Sequence, residues 1–450
     1  MKRIIVLLLM VVVVSFYVIT DRNEFANDYY DTVNKDFFSH DHLDDNEYIY
    51  NTFTKAQDES NKVRDGIVSD IVNGKTNIDG ISDNIKILYN NALDCDTRNR
   101  VSIKPLRKYI DNVVNSNSID EFINNSIIVE RELGVDIFTR IIVDNDFLDN
   151  SKNIVYLYPV TFAFGSSADY FVDEDYMAYK AYIKRGIINL LEEYGMSRNE
   201  ARFVSSEIIN FYTEISGSSK LSSSYEDVTS YYNIVDNEYL GNIYNSFDVV
   251  EYLEERGIKE VEYSLVDEGQ YKKINEYLTN EYLSIWKKVV LVKILSSYAG
   301  YVDMEYRDIV NDLNNSLTGG KDNNDIKEDA VDLVSNVYFE DIDKIYESKV
   351  ITDKDKKYLN DLFEDIRKYF KRMLQNNDWL SKKTKAKALV KLDNMKVYIG
   401  IYDDGNNMGI NVDGDSLVEN IISINKSGYL MELKRLEDGS DTKALSEVVV

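Results

Sequence analysis

Apolar residues recur every three or four positions along most of the chain after residue 20, and this spacing constrains the fold more than any other feature. Side chains three and four residues apart lie on one face of an α-helix, so each such run predicts an amphipathic helix. The clearest runs lie at 179–194, 201–211, 274–292 and 359–374. Because runs of this kind dominate the sequence, we predict a mainly α fold: a large multi-helix lobe with a few short β-strands.

Residues that start and stop helices border these runs. Gly195 follows the first run, as glycine often does at a helix C-terminus. Ser197, with a glutamate three residues later, forms a capping box that predicts the next helix start. Thr352 and Ser381 stand at two further predicted N-termini, and the helix after Ser381 is expected to extend to about Asp393.

A smaller β component and two connectors complete the predicted organisation. The segments Ile137–Val143, Ile154–Pro159 and Lys396–Ile399 are short, apolar and bounded by polar or turn residues, which predicts strands. The segments Ser216–Ser224 and Leu317–Asp325 are rich in Gly, Ser, Asn and Asp, which predicts flexible loops.

The first twenty residues are interpreted as a targeting signal. Lys2 and Arg3 precede a short apolar stretch that reaches Ile19. A basic end followed by such a stretch is typical of a secretory signal peptide, whereas a membrane span needs roughly twenty apolar residues. A cleaved signal and a retained N-terminal membrane anchor both remain open for residues 1–20. Either one predicts an extracellular or cell-surface location, secreted or anchored.

The composition argues against a nucleic-acid partner and against an internal disulfide. Asp and Glu total 79 against 52 Lys and Arg, a net charge of −27. A surface this acidic repels phosphate backbones, so we expect no nucleic-acid partner. Cys95 is the single cysteine and cannot form an internal disulfide, so the fold depends on its apolar core.

Catalytic and metal-binding motifs are missing from the sequence. Its two histidines are His40 and His42, and it contains no H-E-x-x-H and no G-x-S-x-G. A catalytic zinc site needs about three protein ligands, so we predict no catalytic residue, no metal ligand and no cofactor in this chain. The segment Asn73–Thr76 lacks the earlier glycine of a phosphate-binding loop, and Asp404–Asn406 does not extend into a complete calcium loop.

The most specific motif is the run WLSKKTKAKALVKLDNMKVYIG at residues 379–400. It closely resembles a motif of the neprilysin family of zinc metalloendopeptidases. A second run, Asp28–Asn34, is similar to an acidic-aromatic-aromatic run at the start of the mature family members, and the resemblance covers roughly residues 25–435. The residues that carry the first motif are Trp379, Thr384, Ala388, Lys391, Leu392 and Gly400.

The motif also leads to two structural expectations. Trp379 is predicted to anchor the end of the 352–374 helix in the core, and Gly400 to let the chain turn. The resemblance implies a neprilysin-like N-terminal helical domain at 21–400. Residues 401–450 would then lead into a catalytic domain that the sequence does not contain.

Family members bind zinc on an H-E-x-x-H helix of a C-terminal catalytic lobe, which this sequence lacks. Neprilysin-like members also hold a substrate carboxylate with a basic residue at a position that corresponds here to Ile49. The resemblance therefore implies the non-catalytic lobe of a peptidase, one wall of a chamber for peptide substrates, and no activity of this chain by itself.

Three functional hypotheses remain open at this point. In the first, the chain is a lobe that works with a catalytic lobe on another chain, or that has lost this lobe by truncation of the gene. In the second, it is a secreted pseudopeptidase that binds peptides or a protein partner. In the third, it is an inert product. An H-E-x-x-H motif in the adjoining downstream reading frame would separate the first two.

A partner lobe would also require an exposed apolar surface. We expect that surface to include Ile421, Ile422, Tyr429 and Leu430, which precede the missing lobe. The alternative is that Leu417–Leu436 is an ordinary amphipathic helix docked on its own domain.

Overall fold

The described part of the chain is mainly α-helical, with one small sheet, which confirms the predicted fold class. The computed structural model describes residues 29–40, 51–149, 151–225, 228–259, 261–319, 325–397, 399–400, 410, 412 and 414–438.

Helices precede and follow the first two strands. The helices of the first half are α1 (Tyr29–His40), α2 (Thr52–Val72), α3 (Ser82–Leu93), α4 (Cys95–Val101), α5 (Lys104–Val114), α6 (Ile119–Leu133), α7 (Asp169–Val172), α8 (Met177–Tyr194) and α9 (Arg198–Ser216). Those of the second half are α10 (Asn237–Ile243), α11 (Val249–Glu255), α12 (Glu268–Tyr277), α13 (Leu283–Tyr298), α14 (Met304–Thr318), α15 (Ile326–Val337), α16 (Phe339–Val350), α17 (Asp353–Asn376), α18 (Lys382–Asp393) and α19 (Leu417–Asp438).

Helix boundaries follow the capping residues. Gly195 ends α8 with φ of +113°, a left-handed conformation that glycine adopts readily. Ser197 accepts a hydrogen bond from the backbone N–H of Glu200 at the start of α9. Thr352 and Asp355 form a complete capping box at the start of α17, which confirms that predicted N-terminus.

The predicted helix at 274–292 is in fact two helices. Helix α12 ends at Tyr277 and α13 begins at Leu283. The indole N–H of Trp286 donates to the Tyr277 carbonyl at 2.9 Å, so a side chain of the second helix satisfies an end carbonyl of the first. The apolar spacing continues across the break because both helices pack on the same core.

The strands are β1 (Arg140–Asn145), β2 (Asn153–Tyr158), β3 (Ile234–Val235) and β4 (Tyr263–Leu265). They form one four-stranded sheet with the order β1-β2-β4-β3. Strand β2 pairs antiparallel with β1 and parallel with β4, and β3 pairs antiparallel with β4. The two strands predicted at 137–143 and 154–159 are confirmed with small shifts in their bounds.

The third predicted strand, Lys396–Ile399, is wrong: its described residues 396, 397 and 399 lie outside any strand. They follow α18, and no described strand pairs with them, so the hydrogen-bonded ladder that defines a strand cannot form. The strands β3 and β4 were not predicted, because two or three residues are too few to show a period.

The core is centred on α13, which is buried around most of its circumference. Trp286 is 2% exposed, and its ring centroid lies 5.0 to 6.1 Å from those of Phe211, Phe138 and Phe122. A helix that is apolar on all sides belongs in the interior. The tryptophan that anchors this core is therefore Trp286.

Helix α19 packs on this core. Ile421 and Ile422 are 5% and 8% exposed, and Asn425 donates to the Leu133 carbonyl at 2.9 Å. The Tyr429 hydroxyl bonds the Arg256 carbonyl. The expected apolar patch is therefore wrong, since only Leu430 of its four residues is largely exposed. The alternative of a docked amphipathic helix is confirmed.

Contacts divide the chain into two units. The first comprises residues 1–59 and 318–321, and its described part includes α1 and the start of α2; the second comprises residues 60–317 and 322–450. No helix among the described residues is long and apolar enough to cross a membrane, and residues 1–28 lie outside the described ranges.

Candidate functional site

Helices α17 and α18 form a hairpin that carries the motif found in the sequence. Residues 377–381 join the two helices, and the Asn377 side chain accepts hydrogen bonds from the backbone N–H groups of Trp379 and Leu380, at 3.2 and 2.8 Å. Ser381 then caps α18 by accepting from the Thr384 N–H. Side chains of the connector thus fix the turn between the helices.

Polar contacts hold α18 against one face of α17. The Lys371 ammonium lies 2.7 Å from the Asp393 carboxylate, and the Arg367 guanidinium donates to the Met395 carbonyl. Phe363 and Leu374 share this face by helical spacing, and both are half-buried. These half-buried side chains are among the least exposed of α17, because the helix has no fully buried residue.

A second face of α17 is apolar and exposed. Its seven side chains recur at helical spacing, and each is 41% to 66% exposed. We call this set the α17 stripe: Tyr358, Leu359, Leu362, Ile366, Tyr369, Phe370 and Met373.

The size of the α17 stripe sets it apart from ordinary surface. Fully burying a large aromatic side chain covers about 150–250 Å², so seven large side chains that are about half exposed leave roughly 500–1,000 Å² of mainly apolar surface. Monomers rarely expose contiguous apolar patches beyond a few hundred Å², and larger ones mark interaction sites. The stripe is therefore the strongest candidate for a functional surface in the described residues.

The hairpin also differs in charge from the rest of the chain. Residues 353–395 contain twelve Lys and Arg and seven Asp and Glu, a net charge of +5. Since the whole chain carries −27, the other 407 residues carry −32. Arg367 and Lys371 of α17 lie on the face that contacts α18, away from the stripe.

The predicted role of Trp379 as a core anchor is wrong. Its side chain is 78% exposed, at the turn between α17 and α18. The apolar face of α17, which suggested a buried helix, is exposed as well. Spacing reveals that a helix has an apolar face but does not reveal whether this chain covers that face.

The remaining motif residues lie along α18 and just after it. Leu392 is buried at 7% exposure, Ala388 is half-buried, and Thr384 and Lys391 are exposed. Gly400 has φ of +90°, and a Cβ built on it would lie 2.5 Å from a carboxylate oxygen of Glu347. The left-handed conformation strains any larger residue, whereas the contact is with the end of a flexible side chain that can move.

A buried polar cluster between α6, the loop into β1 and the end of α11 is the other unusual feature, and it was not predicted. Glu130 accepts backbone hydrogen bonds from Ile137 and Phe138 at 2.9 and 3.1 Å and one from the Tyr252 hydroxyl at 2.8 Å. The Arg256 guanidinium lies 3.6 Å from its carboxylate. These contacts fix the loop that leads into β1, so the role of Glu130 is structural.

Lys293 belongs to the same region. Its ammonium donates to the Thr161 carbonyl at 2.7 Å, and burial lowers its pKa to about 8. The sequence signal was present, because Lys293 interrupts an apolar run within α13. A lysine within such a run indicates a buried cation, which needs a hydrogen-bonding or charged partner.

The described residues do not fit a zinc site. They contain no group of three or more His, Cys, Asp or Glu side chains placed to hold a metal ion. The side chain of His40, as well as His42, Ile49 and Asp404–Asn406, lies outside what the structure describes. Asn73–Thr76 follows the C-terminus of α2, whereas a phosphate-binding loop joins a strand to a helix.

Comparison with known proteins places this fold in a family. The N-terminal model of peptidase family M13 matches residues 25–403. A neutral endopeptidase from Lactobacillus helveticus is 24% identical over 348 residues, which cover 74% of this chain and 52% of that protein. Neprilysin-11 from Caenorhabditis elegans is 23% identical over 295 residues, 62% of this chain and 35% of that protein.

Solved structures share the fold at lower identity. The zinc metalloprotease Zmp1 of Mycobacterium tuberculosis, in complex with an inhibitor, superposes with a TM-score of 0.82 at 17% identity, covering 93% of this chain and 64% of that one. PepO from Lactobacillus rhamnosis gives 0.81 at 19% identity, covering 94% and 67%. The chain thus spans about half the length of the Lactobacillus helveticus relative, and it belongs to peptidase family M13.

Proposed function

We propose that this chain is the N-terminal helical domain of a neprilysin-like zinc metalloendopeptidase and forms one wall of the chamber in which peptides are cleaved. The observation that carries the proposal is the family match over residues 25–403, supported by fold similarity to a zinc metalloprotease. Apolar side chains, main-chain contacts and exclusion of water would hold a peptide against such a wall.

Zinc and the catalytic groups would come from a second polypeptide region. The sequence has no H-E-x-x-H, and its described residues offer no metal site. We define the completing polypeptide as a region from the same source that carries H-E-x-x-H and aligns with the unmatched part of the Lactobacillus helveticus endopeptidase. Zinc held there would polarise the scissile carbonyl and activate water.

The first test is the activity of the purified chain. We expect it to retain no stoichiometric zinc after dialysis and to leave a short fluorogenic peptide uncut. Mixed with the completing polypeptide, it should support cleavage that a chelator abolishes. Chelator-sensitive cleavage and one tightly bound zinc in the 450-residue chain alone would contradict the proposal that zinc and the catalytic groups come from the completing polypeptide.

A second candidate is a secreted pseudopeptidase that binds peptides or a protein without cutting them. Binding alone does not need zinc, so it does not depend on the H-E-x-x-H motif that residues 1–450 do not contain. Fluorescence anisotropy with labelled apolar peptides separates the two. Micromolar binding by the lone chain, with no gain in cleavage when the completing polypeptide is added, would favour the binding module.

We further propose an extracellular or cell-surface location. The support is the basic and apolar sequence of residues 1–20. Fractionation of the source cells tests this, and recovery of the chain with intracellular proteins only would contradict it.

A further inference from the structure

Among the described residues, no element covers the apolar face of helix α17. Its 24 residues include no buried side chain, although the α17 stripe runs along most of its length. In water, an amphipathic helix gains most of its stability by burying its apolar face. The inner face of α17 contacts α18, and the stripe lies on a different face, centred roughly 110° away by helical geometry.

We propose that the α17 stripe is the docking surface for the completing polypeptide, and this inference rests on the proposed function. Three observations select this occupant. The hairpin lies at the C-terminal end of the family match, at residues 353–395 of 25–403. The relatives are much longer, since this chain spans 52% of one and 64% of another.

The third observation is the area of the stripe. Stable protein interfaces bury about 800 Å² on each partner, and the roughly 500–1,000 Å² of the stripe is in that range. The docked surface would be apolar at its centre, where it covers side chains such as Ile366 and Phe370. It would carry acidic residues at its rim, because the hairpin has a net charge of +5.

Two other occupants predict different behaviour. The acidic remainder of a second copy could attract the basic hairpin, and an anionic lipid surface could attract a basic amphipathic helix. Sedimentation of the purified chain tests the first, and flotation with vesicles of phosphatidylcholine and phosphatidylserine tests the second. Self-association or vesicle binding that Phe370→Asp abolishes would overturn the occupant proposed here.

The decisive experiment compares matched surface variants. Ile366→Asp and Phe370→Asp place a charge at side chains that are 55% and 50% exposed. Phe203→Asp on α9 is the control, because Phe203 is 66% exposed and lies outside the hairpin. Circular dichroism and urea melts of all three variants verify that they fold.

Affinity for the tagged completing polypeptide is then measured by interferometry. We expect each stripe variant to weaken binding at least 30-fold, the double variant to abolish it, and the control to change it less than 3-fold. If the polypeptide binds and supports cleavage equally with every variant, the docking surface is wrong and the proposed function stands. If no variant and no wild-type chain binds it, or the source encodes no such polypeptide, the proposed function fails and this inference with it.

Discussion

The two tryptophans should differ sharply in their contribution to stability. Trp286 is 2% exposed and packed among Phe122, Phe138 and Phe211, whereas Trp379 is 78% exposed. Replacing a buried tryptophan by alanine costs about 3–5 kcal/mol. Trp286→Ala also leaves the Tyr277 carbonyl without its indole partner, which adds about 1 kcal/mol.

We therefore expect Trp286→Ala to lower the free energy of unfolding by about 4–6 kcal/mol. Trp379→Ala should change it by no more than about 0.5 kcal/mol, as exposed substitutions do. Trp286→Phe is a useful intermediate, because it keeps an aromatic ring and loses the hydrogen bond. Its expected cost is about 1–2 kcal/mol.

Urea melts followed by far-ultraviolet circular dichroism measure these differences without using tryptophan as the probe. With an m-value of about 3 kcal/mol per molar urea, a loss of 4 kcal/mol lowers the midpoint by about 1.3 M. Equal shifts for the two alanine variants, or a larger shift for Trp379→Ala, would refute the assignment of Trp286 as the core anchor.

Three further predictions concern single buried or strained sites. Glu130→Gln leaves the Arg256 guanidinium buried without its carboxylate, so urea melts should show a loss of about 3–5 kcal/mol; a change below 1 kcal/mol would contradict the pairing. Burial lowers the pKa of Lys293 to about 8 in the folded protein. Between pH 8 and about 10.5 the unfolded state therefore binds more protons at this residue than the folded state does. Stability should therefore gain a contribution from Lys293 as the pH rises through that window, and Lys293→Met should lose this gain; parallel curves of midpoint against pH would contradict it. Gly400→Ala should cost about 1–2 kcal/mol in urea melts because of the positive φ at this position, and a change near zero would contradict the strain.

Local signals in the sequence predicted local structure well. Ser197, Thr352 and Ser381 cap the helices they were expected to cap, and Gly195 ends α8. Capping involves residues within one turn of each other, so a short sequence window contains the whole interaction. The fold class followed from the same short-range periodicity.

Long-range packing could not be predicted in this way. Helices α9 and α17 both carry one apolar face at helical spacing, yet the face of α9 is buried and α17 has no buried residue. Burial depends on which other segments reach a face, and no window of the sequence contains that information. For the same reason, the partner surface was expected on α19, whereas Ile421 and Ile422 there are covered by the chain itself.

The family motif located the hairpin but not its environment. Its identification depended on the run at residues 379–400, which lies in and beside α18. The buried Glu130–Arg256 pair carried no motif, because its partners are 126 residues apart in sequence. Such a pair becomes visible only when the fold brings the residues together.

The central claim is that this domain acts in peptide cleavage once a zinc-bearing polypeptide docks on the α17 stripe. The most direct measurement is chelator-sensitive cleavage of a fluorogenic peptide by the completing polypeptide, titrated with wild-type chain, Phe370→Asp or Phe203→Asp. We predict that wild type and Phe203→Asp restore equal activity at equal concentration, and that Phe370→Asp needs at least 30-fold more protein. Cleavage by the 450-residue chain alone, or no cleavage in any mixture, would contradict the claim.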